Sequence, residues 1–405
     1  MDEECRTRGD GINLARLVTE EVRRTGKHFL PQPFLNRLSG IRSDRAAEEM
    51  PFLRAFLDCL LDKHDGRYWN RTYLSLPLLE LIVDDSGNAL DPNELATLLI
   101  SDIVRFETRV AAGAPGPVHR DPPEAALLRK RLRHALRFVS DDLAGAGADE
   151  VADLLPGPPA TDAGRWFDVT VQPVYVLHDE YFFIRALQAH EMLFTAIVAD
   201  VRAAIAALRD GSPEAGAGHV DRAVGLFDRA STLFRMVATM RPAHFSAFRQ
   251  FTQGASAIQS EQYKRFEILC GVPPTERLRS EPFTSVPAVR AEAEESGHDT
   301  VVRAYLDLRR RTRISEAERN LLHASLDRLE ARHQRWKATH RSLAARMLGD
   351  SRGSGYTEGV PYLTQCLANR LFWQLGDRDT RDAGTRPLAP ANEESRTLLH
   401  SYGCR

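Results

Sequence analysis

The longest helical pattern in this chain ends, at residues 333–349, in the stretch HQRWKATHRSLAARMLG. One face of this stretch carries the residues spaced three or four apart, namely Trp336, His340, Leu343, Ala344 and Met347. A histidine inside such an apolar stripe needs a hydrogen bond, a water or a metal at its ring nitrogens, because an unsatisfied buried polar group costs roughly 1–3 kcal/mol. His340 is therefore either a hydrogen-bonded core residue or a metal ligand.

The same three- and four-residue spacing of apolar side chains runs through most of the sequence, whereas alternating β-branched runs are scarce. This pattern predicts an all-α protein. The predicted helices cover 12–24, 45–63, 93–109, 123–143, 179–209, 217–239, 243–252, 256–269, 298–311 and 315–348.

Gly-, Pro- and Ala-rich segments interrupt the helical pattern at 111–123 and 145–164. The second is the better boundary, so we predict an N-terminal helical region, 1–165, and a C-terminal helical domain, 166–405. The sequence GSPEAGAG at 211–218 predicts a loop between two antiparallel helices.

The composition excludes several classes of partner. Lys plus Arg (54) nearly balances Asp plus Glu (56), so no field of one sign favours nucleic acid or an anionic membrane. The sequence lacks an apolar run of about eighteen residues, and it opens with the polar MDEECRTRGD instead of a secretory signal. The five cysteines are scattered without metal-binding spacing. We expect a cytoplasmic protein with a small-molecule partner.

An arginine among aromatic residues is the first candidate for binding. Arg249 lies within about two helical turns of Phe245, Phe248 and Phe251. It either packs its stem on these rings with its head in water or forms a bidentate clamp for a carboxylate, which guanidinium serves better than lysine does.

Two other segments add candidates. In HDEYFFIRALQAHEMLF at 178–194, an acidic first turn suits a helix N-terminus, and Phe183, Leu187 and His190 share one side. The segment 349–363, GDSRGSGYTEGVPYL, contains closely spaced glycines that allow positive φ or close backbone approach. This turn contains Gly349, Gly353, Gly355 and Gly359, with Ser354 among them.

Taken together, these blocks resemble the tryptophan 2,3-dioxygenase superfamily over most of 178–373. Matching residues in the C-terminal block include Trp336, His340, Arg346, Met347, Leu348, Gly349, Gly353, Gly355, Gly359, Tyr362 and Leu363. The first block matches at His178, Asp179, Glu180, Gln188 and Glu191, and the middle block at Phe245, Phe248, Arg249, Ala255, Ser256, Gln259, Ser260 and Gln262.

The resemblance implies a role for each matched site residue. His340 takes the place of the proximal ligand of haem iron, beside the turn with Gly353 and Gly355, and Arg249 that of the arginine binding the substrate carboxylate. The resemblance also implies that Phe183 and Phe245 form walls of the substrate pocket. It implies that Ser256 is a serine of that pocket and that Ser354 contacts the substrate ammonium. Leu187 stands where tryptophan dioxygenases have the histidine that binds the indole N–H, so that contact is missing unless an acceptor such as His190 replaces it.

The resemblance implies a helical-bundle haem domain with an N-terminal helical extension. The function it implies is that of a haem b oxidoreductase using O₂ on tryptophan or a tryptophan-derived aromatic amino acid, by dioxygenation or mono-oxygenation of the indole ring. The alternatives are hydroxylation of a tyrosine-like substrate, a non-catalytic haem-binding sensor and a haem-free interaction protein. A homodimer or homotetramer is also implied. His400 and Cys404 have the spacing of a covalent haem attachment that a peroxide-using relative employs.

Overall fold

The structure is a computed structural model that describes residues 3–65, 69–84, 90–114, 120–143, 145, 147–151, 154–252, 259–311, 314–349 and 358–376. Within these ranges the regular secondary structure consists of α-helices and short 3-10 helices, and it includes no β-strand. The predicted all-α fold is confirmed. No helix in the described ranges has both the length and the apolar composition needed to cross a bilayer.

The first half of the chain forms mostly short helices. They are α1 (Glu3–Thr25), α2 (Gln32–Arg42), α3 (Arg45–Glu48), α4 (Pro51–Leu60), α5 (Asn70–Tyr73), α6 (Leu76–Val83), α7 (Pro92–Ala111), α8 (Ala125–Val139) and α9 (Ala148–Val151). The helix predicted over 45–63 is divided between α3 and α4, because Pro51 occupies the first position of a new helix and lacks the N–H that a continuing helix would need.

The second half contains the long helices. They are α10 (His178–Arg209), α11 (Pro213–Val237), α12 (Pro242–Thr252), α13 (Glu261–Cys270), α14 (Thr275–Leu278), α15 (Glu281–Thr284), α16 (Pro287–Glu294), α17 (Val301–Arg311), α18 (Glu316–Leu348) and α19 (Val360–Cys366). Helix α10 packs on α11, and α11 in turn packs on α18. The short helices α14–α16 and α19 were not predicted.

Helix α18 begins and ends where local chemistry directs it. The Ser315 hydroxyl accepts the N–H of Glu318 at 3.2 Å, and the Glu318 carboxylate accepts the N–H of Ser315 at 2.7 Å, which forms a capping box. At the other end Gly349 has φ of +54°, a conformation that L side chains rarely adopt. The prediction of a helix over 315–348 therefore agrees closely with Glu316–Leu348.

The loop predicted at 211–218 is wrong for most of its length. Helix α11 begins at Pro213, so that Gly216 lies inside it, and the turn after α10 is confined to a few residues. A Cβ added at Gly216 would lie 3.0 Å from the Leu208 side chain of α10. The small residues of this segment therefore allow two helices to approach closely rather than forming a flexible loop.

The main hydrophobic core surrounds α10. It includes residues of α7 and α8 together with residues of α11, α13, α17 and α18, while a smaller core joins α1, α2 and α4 to Trp166. The large core thus draws side chains from both sides of residue 165. The division into 1–165 and 166–405 stays a prediction.

The first turn of α10 is fixed by buried charges. Asp179 pairs with Arg131 at 2.8 Å and with Arg241 at 3.1 Å, and both Asp179 and Arg131 are fully buried. Glu180 accepts the backbone N–H of Val174 at 2.7 Å. Beyond suiting the helix dipole, the acidic turn therefore ties α10 to α8, to the start of α12 and to the segment before α10.

Candidate functional site

A cavity of about 210 Å³ lies between α10, α11, α12, α13, α18 and α19. Its walls are largely aromatic and aliphatic, and a small number of polar and charged side chains interrupt them. An apolar pocket with a few polar groups is the usual form of a small-molecule or cofactor site.

The described part of the chain brings the separate sequence blocks together at this cavity. Helix α10 contributes Phe183 and Leu187, α12 contributes Phe245 and Arg249, and α18 contributes His340. The predicted site residues Ser256, Gly353, Ser354 and Gly355 lie outside the described residues, as do His400 and Cys404. Gly359, at the other end of the glycine-rich turn, has φ of +78° immediately before α19.

His340 presents its imidazole to the cavity. Its ring stacks on Phe234 with 5.7 Å between centroids and 7° between planes, and Trp336 lies 5.4 Å away. No hydrogen bond joins either ring nitrogen to another residue of the described ranges. Burial, with a smaller effect from the charge of Lys264, lowers the pKa of His340 to about 4. The ring is therefore neutral near pH 7 and has a lone pair available to a ligand.

His190 lies on the same wall but is held differently. Its Nδ1 donates to the carbonyl of Ala186 at 3.2 Å, and its ring packs on Phe234 at 5.1 Å. Its buried Nε2 has no hydrogen-bond partner in the described structure, and burial lowers its pKa to about 4. His190 is thus a neutral histidine on the side of the cavity occupied by Phe234 and His340.

Another part of the cavity wall is a cluster of phenylalanines, one of which, Phe248, is next to Arg249 in the sequence. The ring centroid of Phe183 lies 5.6 Å from that of Phe245 and 5.4 Å from that of Phe248, and the rings of Phe245 and Phe248 are almost perpendicular, at 88°. Burial lowers the pKa of Arg249, which still remains charged at neutral pH. A flat aromatic ring with an attached carboxylate is the type of ligand that these side chains would hold.

A cationic wall, formed by Lys264 and Arg277, was missed by sequence reasoning. Both residues line the cavity and are buried, and both approach Glu267, at 3.5 Å for Lys264 and 2.9 Å for Arg277. Burial lowers the pKa of Lys264 to about 8. Burial alone would raise the pKa of Glu267, but the charges of Arg277 and Lys264 outweigh it and lower the pKa of Glu267 to about 2. Arg277 also donates to the Tyr362 hydroxyl at 2.7 Å. A single carboxylate thus lies between two cations.

The spacing of Lys264 and Glu267, three residues apart on α13, is a signal that could have suggested an ion pair. It gives no sign that Arg277 reaches the same carboxylate from α14. A second lysine on the cavity wall, Lys337, is occupied, because its ammonium donates to the carbonyls of Cys366 at 2.9 Å and Asn369 at 2.5 Å.

The N-terminal region also reaches the cavity, which sequence reasoning did not predict. Asn70 and Tyr73 of α5 both line it. The carbonyl of the neighbouring Leu74 accepts a hydrogen bond from Gln188 of α10 at 2.8 Å, which fixes this short helix against the main core.

Comparisons with known proteins agree with the resemblance seen in the motifs. The sequence model of the tryptophan 2,3-dioxygenase family matches residues 169–282, which include α10 to α14. This match supports a divergent relationship of the chain to the tryptophan 2,3-dioxygenase superfamily. Tryptophan 2,3-dioxygenases of Burkholderia mallei (strain SAVP1) and Burkholderia pseudomallei (strain 668) are each 26% identical to it over 233 residues, which cover 49% of this chain and 75% of the relative.

The superfamily match contains the parts of α10, α12 and α13 that line the cavity, but it ends before α18 and His340. Among the described residues, no group of three or more His, Cys, Asp or Glu side chains could hold a bare metal ion. His340 therefore faces the cavity without a second metal-ligating side chain grouped around it in the described part of the chain.

Proposed function

We propose that this protein is a haem-dependent oxidoreductase that oxygenates tryptophan or a tryptophan-derived aromatic amino acid. The observation that carries the proposal is the neutral imidazole of His340, which has no partner within the described residues and lies on the wall of an aromatic cavity. The relationship to the tryptophan 2,3-dioxygenase superfamily supports the same class of reaction.

The residues present fit haem b. His340 would ligate the iron through its free ring nitrogen, Phe234 and Trp336 would keep that ring in place, and the apolar walls would cover the macrocycle. Haem b also carries two carboxylates, and the cationic wall of Lys264 and Arg277 would face at least one of them. The glycines of the following turn, Gly353 and Gly355, are proposed to approach the cofactor as they do in the family.

When bound, haem b supplies the activation of O₂, and the protein supplies position and the exclusion of water. Arg249 would bind the substrate carboxylate, with Ser354 as partner for its ammonium. Phe183 and Phe245 would clamp the aromatic ring, with Leu187 and Ser256 completing the pocket. A water-poor cavity strengthens each of these polar contacts, because charges in it are weakly screened.

Leu187 distinguishes this protein from a strict tryptophan dioxygenase. A leucine accepts no hydrogen bond, so an indole N–H next to it must find another acceptor or remain unpaired at roughly 1–3 kcal/mol. This residue therefore also favours a second candidate, the hydroxylation of a tyrosine-like substrate, in which no indole N–H has to be satisfied. We also propose that the protein is cytoplasmic and forms a homodimer or homotetramer. We further propose that its chain divides into the two regions 1–165 and 166–405.

The test is an assay of the haem-loaded protein with tryptophan, tyrosine and their methylated or hydroxylated derivatives. Mass spectrometry of the products under ¹⁸O₂ would count the oxygen atoms added. We expect incorporation of one or two atoms into at least one of these amino acids. Haem-loaded protein that oxidises none of them, although it binds haem through His340, would instead be a sensor.

A further inference from the structure

The cavity contains a buried polar side chain to which neither the sequence motifs nor the family gives a role. Asn70 of α5 is 2% exposed and lines the cavity. Its backbone N–H donates to the side chain of Gln259 at 3.0 Å, which anchors it beside the start of α13. Its carboxamide forms no hydrogen bond with any residue in the described ranges, and the Nδ2 atom is fully enclosed.

An enclosed carboxamide without partners is costly, and buried polar groups in proteins are normally satisfied by protein, water or ligand. None of the described polar side chains that line the cavity bonds to this carboxamide. Lys264 and Arg277 share Glu267, and Lys337 donates to backbone carbonyls. Leu187, at the family's usual position for a polar contact with the substrate ring, offers none. A ligand in the cavity is therefore the available partner for Asn70.

We propose that Asn70 is a specificity-determining residue that recognises a hydroxyl group on the aromatic ring of the substrate. A hydroxyl both donates and accepts, so it can bond to the oxygen and to the NH₂ of one carboxamide. The conclusion is the same whichever way the amide is turned, because a hydroxyl can accept from the NH₂ or donate to the oxygen. An indole N–H only donates and would leave the NH₂ group unpaired.

This inference rests on the proposed function and narrows its substrate class to phenolic or hydroxyindole amino acids. It also assigns a role to the N-terminal region, since α5 would complete the substrate site of the same chain. Tyr73, on the next turn, is held by Glu180 of α10 through a hydrogen bond of 3.4 Å, which fixes the position of α5 against the substrate-binding helix.

The experiment measures equilibrium binding of amino-acid pairs to the haem-loaded protein through the shift of the haem Soret band. Tyrosine is compared with phenylalanine, and 5-hydroxytryptophan with tryptophan, because each pair differs in the ring hydroxyl alone. We expect the hydroxylated member of at least one pair to bind roughly tenfold or more tightly, since a site built to bond a hydroxyl rejects the analogue without it.

Asn70→Leu, which keeps the size and removes the polar atoms, should reduce this ratio to within about threefold. Asn70→Ser provides a second, smaller variant that keeps a hydrogen-bonding group and should retain part of the ratio. A change confined to stability would alter both members of a pair equally and would leave the ratio intact.

Equal binding of both members in the wild-type protein overturns the inference, as does a ratio unchanged in Asn70→Leu. A ratio lost in His190→Phe but kept in Asn70→Leu would likewise overturn it and would transfer the role to His190. If the wild-type protein with bound haem responds to no aromatic amino acid, the proposed function itself fails, and Asn70 has no substrate to select.

Discussion

The affinity for haem should fall as the pH rises above about 8, because Lys264 loses its charge there. Burial lowers the pKa of this lysine to about 8, so it is protonated at pH 7 and mostly neutral at pH 9. A carboxylate of haem placed next to it favours the protonated form. Binding of haem is therefore coupled to the uptake of a proton in this pH range.

The size of the effect follows from the shift itself. Lowering the pKa from 10.5 to about 8 corresponds to a net penalty of about 3 kcal/mol on the charged ammonium, in which Glu267 already offsets part of the cost of burial. A charge-assisted hydrogen bond contributes about 1.5–3 kcal/mol, equivalent to about 10- to 150-fold in affinity. We expect a loss of about tenfold per pH unit above pH 8 until this advantage is exhausted.

The assay titrates the apoprotein with haem between pH 7 and pH 9.5 and follows tryptophan fluorescence and the Soret band. Haem dimethyl ester, which has no free carboxylates, should bind about 10- to 100-fold more weakly at pH 7 and should show no such slope. Lys264→Met should bind both forms with similar affinity. Lys337→Met is the matched control: the pKa of Lys337 is also lowered to about 8 by burial, but its ammonium donates to backbone carbonyls.

Two results would refute this reasoning. A parallel loss of affinity for haem and its dimethyl ester as the pH rises would show that the slope does not come from the haem carboxylates. Loss of the slope in Lys337→Met but not in Lys264→Met would place the haem carboxylates elsewhere on the wall.

Two further predictions concern stability and substrate binding. Arg131→Met should lower the free energy of unfolding by about 3–5 kcal/mol at pH 7, because it leaves the fully buried Glu107 and Asp179 without their shared cation. Burial alone would raise the pKa of both carboxyls, but Arg131 keeps both pKa values low, so the stability that it contributes is present at neutral pH and declines below about pH 4. Urea unfolding at pH 7 and below pH 4 checks this. The control is Arg328→Met, which removes an exposed ion pair with Asp221 and should cost under about 1 kcal/mol. Arg249→Leu should weaken binding of aromatic amino acids by about 10- to 150-fold and leave decarboxylated amines nearly unaffected in calorimetric titrations; equal weakening of both classes would contradict the carboxylate clamp.

The sequence was sufficient to predict the all-α class and the bounds of α10 and α18. Periodic apolar residues and a capping serine act locally, so their signals remain visible in the sequence. Motifs that resemble a known family further indicated which side chains share one site, and Phe183, Leu187, Phe245, Arg249 and His340 indeed line one cavity. Their roles remain proposals.

The cationic wall and Asn70 could not be predicted in the same way. Lys264 and Arg277 belong to different helices, and the approach of Arg277 to Glu267, ten residues away in the sequence, exists only in the folded chain. Asn70 lies in a helix of four residues, too short to have a periodic pattern. The glycines of 211–218 wrongly predicted a loop. Gly216 lies inside a helix, at a point where the side chain of Leu208 leaves little room for a Cβ.

The most direct test of the account is whether His340 ligates haem iron. Wild-type protein and His340→Gly are reconstituted with haem, and their haem stoichiometry and axial-ligand spectra are compared by absorption and electron paramagnetic resonance, with and without added imidazole. We expect the variant to stay helical, to lose tightly bound haem together with the histidine-ligand spectrum, and to recover that spectrum when imidazole fills the space left by the side chain. Haem retained by the variant at wild-type stoichiometry with an unchanged axial-ligand spectrum would contradict it.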